Sequence, residues 1–333
     1  AKLTSSPEQD VSHRTHSAAC LRKCEEAWTR LEPLVLKHGD ALFYPKVRNY
    51  AIEEHAREYK CSRGTLRKDL RRYWQRGRTK YALLPDYGGN PFNVDAIRDR
   101  VRITQADVRD RDAMRSLVAG QEVIFNLAGQ VSHIDSMQDP YTDLAINSLG
   151  PLTLLEACRH VNAAVKVVFA GTRQIYGRPD TLPVDESHLV RPTDVNGINK
   201  AAGEYYHLVY NNVFGVRACA LRLTNVYGPR QLLRHNRQGF IGWFIRLILE
   251  NKEIQVFGDG SQIRDFVYVD DAVEAFLAAG ATDAVNGEAF NVGGEEHISH
   301  RDLVTMLVDL AGSGRYTFVK WPPEKKAIDI GSF

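Results

Sequence analysis

The sequence predicts an α/β fold, a doubly wound parallel sheet over residues 91–333, preceded by a basic helical segment over residues 1–90. Three observations carry this. Beyond Val101, short apolar or β-branched runs alternate with helical stretches at the spacing of strand–helix–strand units. Ahead of Val101, apolar residues recur at three- and four-residue intervals, the helical period. The charge divides as well: residues 1–80 hold 18 Lys+Arg against 10 Asp+Glu, and the remainder holds 25 against 31. A basic part joined to an acidic one predicts two parts with different partners.

Residues 1–18 are polar and lack an apolar signal core, which predicts a cytoplasmic protein. Residues 19–38 carry Leu21, Cys24, Trp28 and Leu31 at helical spacing, with Pro33 expected to disturb the end of the run. A second helical pattern covers residues 47–59. Cys61-Ser62-Arg63-Gly64 reads as a turn in which Ser62 caps a third helix over residues 65–76. Leu66, Leu70 and Tyr73/Trp74 would face inward, and Arg63, Arg67, Lys68, Arg71 and Arg72 outward. Helix, short turn and basic helix form the helix-turn-helix pattern, so residues 47–80 are candidates for DNA contact, with arginines on phosphates and base edges. The stretch from Ser62 to Gly77, with Ala82-Leu83-Leu84-Pro85 after it, resembles the DNA-binding segment of Mu- and integrase-class transposases over residues 20–87. A solvated basic helix in a small bundle is the plainer alternative. No acidic triad follows, so strand transfer is not expected.

The five cysteines form no disulfide framework and predict free thiols. Cys20 and Cys24, near His13 and His16, lack the second ligand pair a zinc site needs, so no metal is expected. No run of about 18 apolar residues exists, and no membrane span is expected.

In the second part, residues 101–105, 123–127, 165–170, 216–223 and 254–257 read as strands, with helices between them such as 151–161 and 199–214. Ligands in such sheets gather beyond the carboxyl ends of the strands. Five strings lie there. Asp107 and Val108 follow the first strand. Asn126-Leu127-Ala128-Gly129 follows the second, its small residues permitting close approach to the backbone. Ala170-Gly171-Thr172-Arg173-Gln174-Ile175-Tyr176-Gly177 follows the third and offers a hydroxyl. Arg222-Leu223-Thr224-Asn225 ends the fourth. The string from Gly258 to Asp271 places Arg264 where it suits paired anionic oxygens. Each has a duller alternative: Asp107 and Asp110 as helix caps, Thr172 in a turn, Arg264 paired with Asp265.

In this order the strings resemble extended short-chain dehydrogenase/reductases, specifically the NAD-dependent nucleotide-sugar epimerases and dehydratases, over residues 92–333. The resemblance implies a Rossmann-like sheet with a small substrate-binding subdomain, NAD as cofactor, a nucleoside-diphosphate sugar as substrate, and transient oxidation at a sugar carbon. It implies that Thr172 bonds the reacting sugar oxygen and that Lys200 holds the nicotinamide ribose. Asp107, Val108, Leu127, Ala128 and Gly129 would line the cofactor, and Asn225 and Arg264 would meet the phosphates. His133 and Ser136 would border the sugar. It also implies a homodimer through helices near 152–160 and 200–214. Asn196 falls where the family carries its tyrosine base, and an amide takes no proton at neutral pH. Tyr176, His133 or a relayed water are the open substitutes.

A second departure lies upstream. The family opens with a strand, a G-x-x-G-x-x-G turn and a helix whose N-terminus holds the pyrophosphate. No such turn precedes Val101. The sheet is therefore expected to lack its first βαβ unit, leaving the strand at 101–105 without an inner neighbour; residues 41–44 are a faint replacement. The C-terminal segment from Ala327 to Phe333 reads as the approach to a further substrate-domain segment. A chimera joined near residues 87–92, with a DNA-binding-like segment in place of the first βαβ unit, is the simplest account of the upstream departure. A DNA-binding, transposase-derived protein and a non-catalytic sugar-nucleotide binder are the rival readings.

Overall fold

The structure is a computed structural model that describes residues 18–43, 45–75, 97, 100–231, 233, 239–295 and 297–333; the side chains of 18–24, 40, 43, 45 and 71–75 lie outside that description. The expectations placed on Arg71, Arg72, Tyr73, Trp74, Leu21, Cys20 and Cys24 as side chains fall outside the described residues. The chain divides into two compact units between Ile103 and Thr104.

In the first unit, helices Ala18–His38, Pro45–Glu58 and Arg63–Gln75 surround a small core of Leu31, Leu34, Leu42, Ile52, Leu66 and Leu70. Pro33 does not end the first helix, which continues to His38. Of the stretch 41–44, residues 41–43 supply no strand, because Gly39–Phe43 is a 3-10 turn, and residue 44 lies outside the described residues. Ser62 Oγ accepts from the Thr65 amide at 2.9 Å, the expected cap. Arg30 and buried Asp69 pair at 3.0 Å, tying the first helix to the third. On the basic helix Arg63 donates to Glu53 at 2.7 Å and Arg67 to Asn49 at 3.1 Å, while Arg63, Arg67 and Lys68 are all exposed.

The second unit holds strands β1 (Val123–Asn126), β2 (Lys166–Thr172), β3 (Ala218–Leu223), β4 (Asn225–Tyr227), β5 (Glu253–Phe257), β6 (Ile263–Tyr268), β7 (Ala289–Val292), β8 (His297–Ser299) and β9 (Arg315–Val319). The main sheet is parallel, in the order β1-β2-β3-β7. Helices Arg111–Val118, Gly150–Val161 and Val195–Phe214 bury Met114, Leu154, Leu155 and Tyr210 against Val165, Val167 and Ala218 on one face. Helix Val269–Ala281 covers Val168, Cys219 and Leu221 on the other. Continuous apolar strands such as Lys166–Thr172 follow from this two-sided burial.

Two strand expectations are corrected. Residues 101–105 are exposed and form no strand: β1 pairs only with β2 among the described residues, and a parallel strand without a neighbour has no ladder to join. Residues 254–257 do form a strand, but β5 pairs with β9 in a separate two-stranded sheet. The fourth main-sheet strand is β7, which the sequence reading missed. Sheets β4-β6-β8 and β5-β9, with helices Phe240–Leu249 and His300–Ala311, build the small subdomain around Phe244, Ile254, Val256 and Val304.

Among the described residues the sheet therefore ends at β1. Val123 is 36% exposed, Phe125 38% and Leu127 62%, although all three belong to or directly follow a strand of the central sheet. Phe125 meets Phe276 edge-on, with ring centroids 6.0 Å apart, and lies beside Gly280. Fully buried Phe169 on β2 stacks on His207 at 4.5 Å. Phe169→Ala should cost ~3–5 kcal/mol and Phe125→Ala only ~1–2 kcal/mol. Urea unfolding checks this, and equal costs would show that the outer face of β1 is closed.

Candidate functional site

The site is organised by the N-terminus of helix Val195–Phe214. Asp194 caps it, accepting from the Gly197 amide at 2.7 Å and from Gln174 Nε2 at 2.9 Å. His133 Nδ1 lies 2.9 Å from the same carboxylate. Burial pushes the Asp194 carboxyl up, but the His133 and amide contacts outweigh it and hold it below the usual range.

One turn along, Asn196 donates to Asp143 Oδ2 at 3.0 Å and to the Gln130 carbonyl at 2.8 Å, and its backbone amide donates to Ser136 Oγ at 3.3 Å. Asn199 donates to the other Asp143 oxygen at 2.8 Å. Asp143 is fully buried, so two amides from one helix share a carboxylate that has no access to water. Asn147 accepts from the Gln130 amide at 3.1 Å and donates to its carbonyl at 2.9 Å, which fixes the loop beyond β1. Both Asn196 and Asn147 thus hold this loop in register.

Lys200 stands four residues after Asn196, on the same face of the helix. Its Nζ donates to the Ala170 carbonyl at 3.1 Å. Burial lowers the ammonium to about 8, with the Asp143 charge working in the other direction. A Cβ on Gly129 would lie 2.9 Å from Nζ and 3.0 Å from Asn147 Oδ1, so only glycine fits there without displacing the lysine. Gly129 lies beside Lys200, and Asn196, Ser136 and His133 are linked through backbone and side-chain hydrogen bonds. Ser136 is buried, and its hydroxyl donates to the His133 carbonyl at 2.7 Å.

Thr172 ends β2, and its Oγ1 accepts from the Gln174 amide at 3.2 Å, the turn role the sequence also allowed. Asp107 is exposed and held by Arg109 through 2.9 and 2.7 Å bonds, which lower its carboxyl to about 2. Asp110, not Asp107, caps the following helix. Val108 packs against Gly150, where a Cβ would come within 2.7 Å of it. Leu127, Ala128 and Gly129 form an exposed stretch beyond β1. Among the described residues no recorded contact joins Asp107 to the Lys200 group.

Asn225 and Arg264 fall in a second polar group with Arg173. Arg173 donates to Asn225 Oδ1 at 2.9 Å, and Asn225 donates to the Asp265 carbonyl at 2.8 Å. Arg264 is buried. It donates to the carbonyls of Ile263 and Gly331 and faces Asp329 at 3.5 Å, not its neighbour Asp265.

Tyr176 is corrected as a substitute base. It is fully buried, donates to Asn291 Oδ1 at 2.8 Å and accepts from Arg222, and burial pushes its hydroxyl up from the ordinary tyrosine value. Arg222 also forms a buried pair with Glu204 at 2.7 Å. Sequence reasoning missed Asp143, Asn147, Asn199 and Arg173. Arg173 directly follows Thr172 and Asn199 directly precedes Lys200; nothing around Asp143 or Asn147 marks them in one dimension.

Residues 68–293 match the NAD dependent epimerase/dehydratase family, and residues 24–87 match the TnsB second domain, the two overlapping at 68–87. The chain is 36% identical over 216 residues to the UDP-glucose 4-epimerase of Mycolicibacterium smegmatis, covering 65% of this chain and 68% of the relative. It is 38% identical to a putative UDP-glucose 4-epimerase of Methanocaldococcus jannaschii, over 56% of this chain and 61% of that one. The chain thus spans about two thirds or less of the length of these relatives. The solved UDP-glucose 4-epimerase of Thermus thermophilus in complex with NAD superposes with a TM-score of 0.63 at 30% identity, over 71% of this chain and 77% of that one. A parallel sheet with these residues at its strand ends, and a family match over two thirds of the sequence, make one conclusion: the chain belongs to the NAD dependent epimerase/dehydratase family, with a segment like the TnsB second domain ahead of it.

Proposed function

We propose that this chain binds a nucleoside-diphosphate sugar at the ends of β2 and β3 and handles the proton of the reacting sugar hydroxyl through Lys200 instead of a tyrosine. The observation that carries this is the fate of Asn196. Its amide is committed to Asp143 and Gln130, so the position of the family's base is structural here. The neighbouring Lys200, lowered to about 8, is neutral in about one molecule in ten at pH 7 and can accept a proton at Nζ. Thr172 would orient the sugar oxygen. His133, beside Asp194, borders the same space.

The residues present fit the nicotinamide end of NAD better than its centre. Gly129 leaves Lys200 room, which suits a lysine on the nicotinamide ribose. No glycine-rich turn opening a helix stands ahead of Val101 in the sequence. NAD, when bound, supplies the hydride acceptor; the chain supplies orientation, exclusion of water and the proton-accepting amine. Without a helix N-terminus on the pyrophosphate, affinity should be weak.

A second reading rests on a different observation. The exposed Arg63, Arg67 and Lys68 of helix Arg63–Gln75, within the match to the TnsB second domain, suit contact with DNA phosphates. A homodimer is supported by Ile198, Tyr205, Val209 and Val213, exposed apolar residues along one helix.

Four outcomes follow. Sugar oxidation, read as NADH absorbance at saturating NAD, should rise about tenfold per pH unit below pH 8 and level off above it, because the neutral amine is the active form; a flat profile from pH 6 to 9, or activity retained by Lys200→Met, contradicts the assignment. Calorimetric titration should give a Kd for NAD of about 0.1 mM or weaker, whereas low-micromolar binding would show that another segment grips the pyrophosphate. Gel-shift affinity for duplex DNA should fall steeply with salt and drop in Lys68→Ala; no shift at low salt removes the DNA reading. Sedimentation should show a dimer that Val209→Glu converts to monomer, and a monomeric wild type at micromolar concentration removes the dimer.

A further inference from the structure

The phosphate-facing residues expected from the sequence are both fully engaged. Asn225 uses its oxygen to accept from Arg173 and its nitrogen to donate to the Asp265 carbonyl. Arg264 donates through Nη1 to the carbonyls of Ile263 and Gly331, and through Nη2 to Gln262 Oε1 at 3.1 Å. Arg173 differs. Its Nη2 is satisfied by Asn225, but Nε and Nη1 are buried and have no acceptor among the described residues. Asp265 and Asp329 lie close enough to favour its charge, yet Asp265 accepts from the Gly294 amide and Asp329 from Gln262, not from Arg173. The ring of Phe333 covers the guanidinium at 5.2 Å. Nearby His300 Nε2 is also buried without a partner.

Two guanidinium nitrogens buried with unused donors are costly unless an anion completes them. Arg173 directly follows Thr172 at the end of β2, so an anion bound to it lies beside the sugar site. Resting on the nucleotide-sugar reading, we propose that Arg173 is the residue that binds an oxyanion of the sugar nucleotide, with Asn225 acting as its positioning support. The oxyanion is either the diphosphate or a carboxylate on the sugar ring; a guanidinium suits both.

The test is calorimetric titration of the full chain, wild type, Arg173→Gln and Arg173→Lys, with uridine, UDP, UDP-glucose and UDP-glucuronate, together with the melting temperature of each protein without ligand. If the diphosphate is the partner, Arg173→Gln weakens UDP, UDP-glucose and UDP-glucuronate by about tenfold and leaves uridine unchanged, with Arg173→Lys in between. If a sugar carboxylate is the partner, only UDP-glucuronate weakens. Either way the ligand-free melting temperature of Arg173→Gln stays level or rises, since a burdened charge is removed. Unchanged affinity for all three anionic ligands overturns the proposal, as does a fall in ligand-free melting temperature in both variants, which marks Arg173 as a strut. If the wild type binds none of the three, the nucleotide-sugar reading falls as well; wild-type binding that survives both substitutions sinks the Arg173 assignment alone.

Discussion

The buried carboxylate of Asp143 is the constraint around which the site is arranged. It sits in the interior of the second unit with its two oxygens held by Asn196 and Asn199, and it is the charge that favours the ammonium of Lys200. A carboxylate taken out of water is tolerable only when its lone pairs are met and a cation is near. Both conditions are supplied by one stretch of helix. Losing either amide would leave part of the charge unmet, so Asn196 has a structural reason to be an amide, whatever its effect on chemistry. The same residue fastens the loop after β1 through Gln130. Sheet end, loop and lysine are thereby fixed relative to one another.

The second organising fact is the end of the sheet. β1 carries its ladder on one side only among the described residues, and its outer face is half open. In a parallel sheet the interior strands gain from burial on both faces. β1 gains less, and residues 101–105 gain nothing from pairing. Thr172 and Lys200, the residues proposed to act at the nicotinamide end, lie inside the well-supported part of the sheet, at β2 and the long helix. The residues expected to meet the far half of the cofactor, Asp107 and Val108, lie outside it. A gradient of structural support therefore runs along the expected length of the dinucleotide.

Most of the parallel core was legible in the sequence because its strands are continuous apolar runs at regular intervals. Residues 123–127, 165–170 and 216–223 became β1, β2 and β3 within a residue or two. Where the reading failed, the cause was long-range. Residues 101–105 have strand composition but no partner among the described residues, and composition does not report partners. Residues 254–257 are a strand, but which sheet they join depends on β9, some sixty residues later. In the site, Gly129 stood in a short string after β1, and Lys200 and Ser136 entered by family resemblance. Asp143 was not legible, since its importance arises only when Asn196 and Asn199 fold onto it. Arg173 was in view beside Thr172 and was passed over, because unused donors are visible only once the neighbours' bonds are known.

The most direct test is the titration of Lys200 itself, followed by nuclear magnetic resonance of the lysine side chains in wild type and Asp143→Asn. A Lys200 resonance that titrates near pH 8 in the wild type, and lower in Asp143→Asn, would agree with a buried amine sustained by that carboxylate. A wild-type midpoint near the ordinary lysine value, about 10.4, or one indifferent to Asp143, would contradict it.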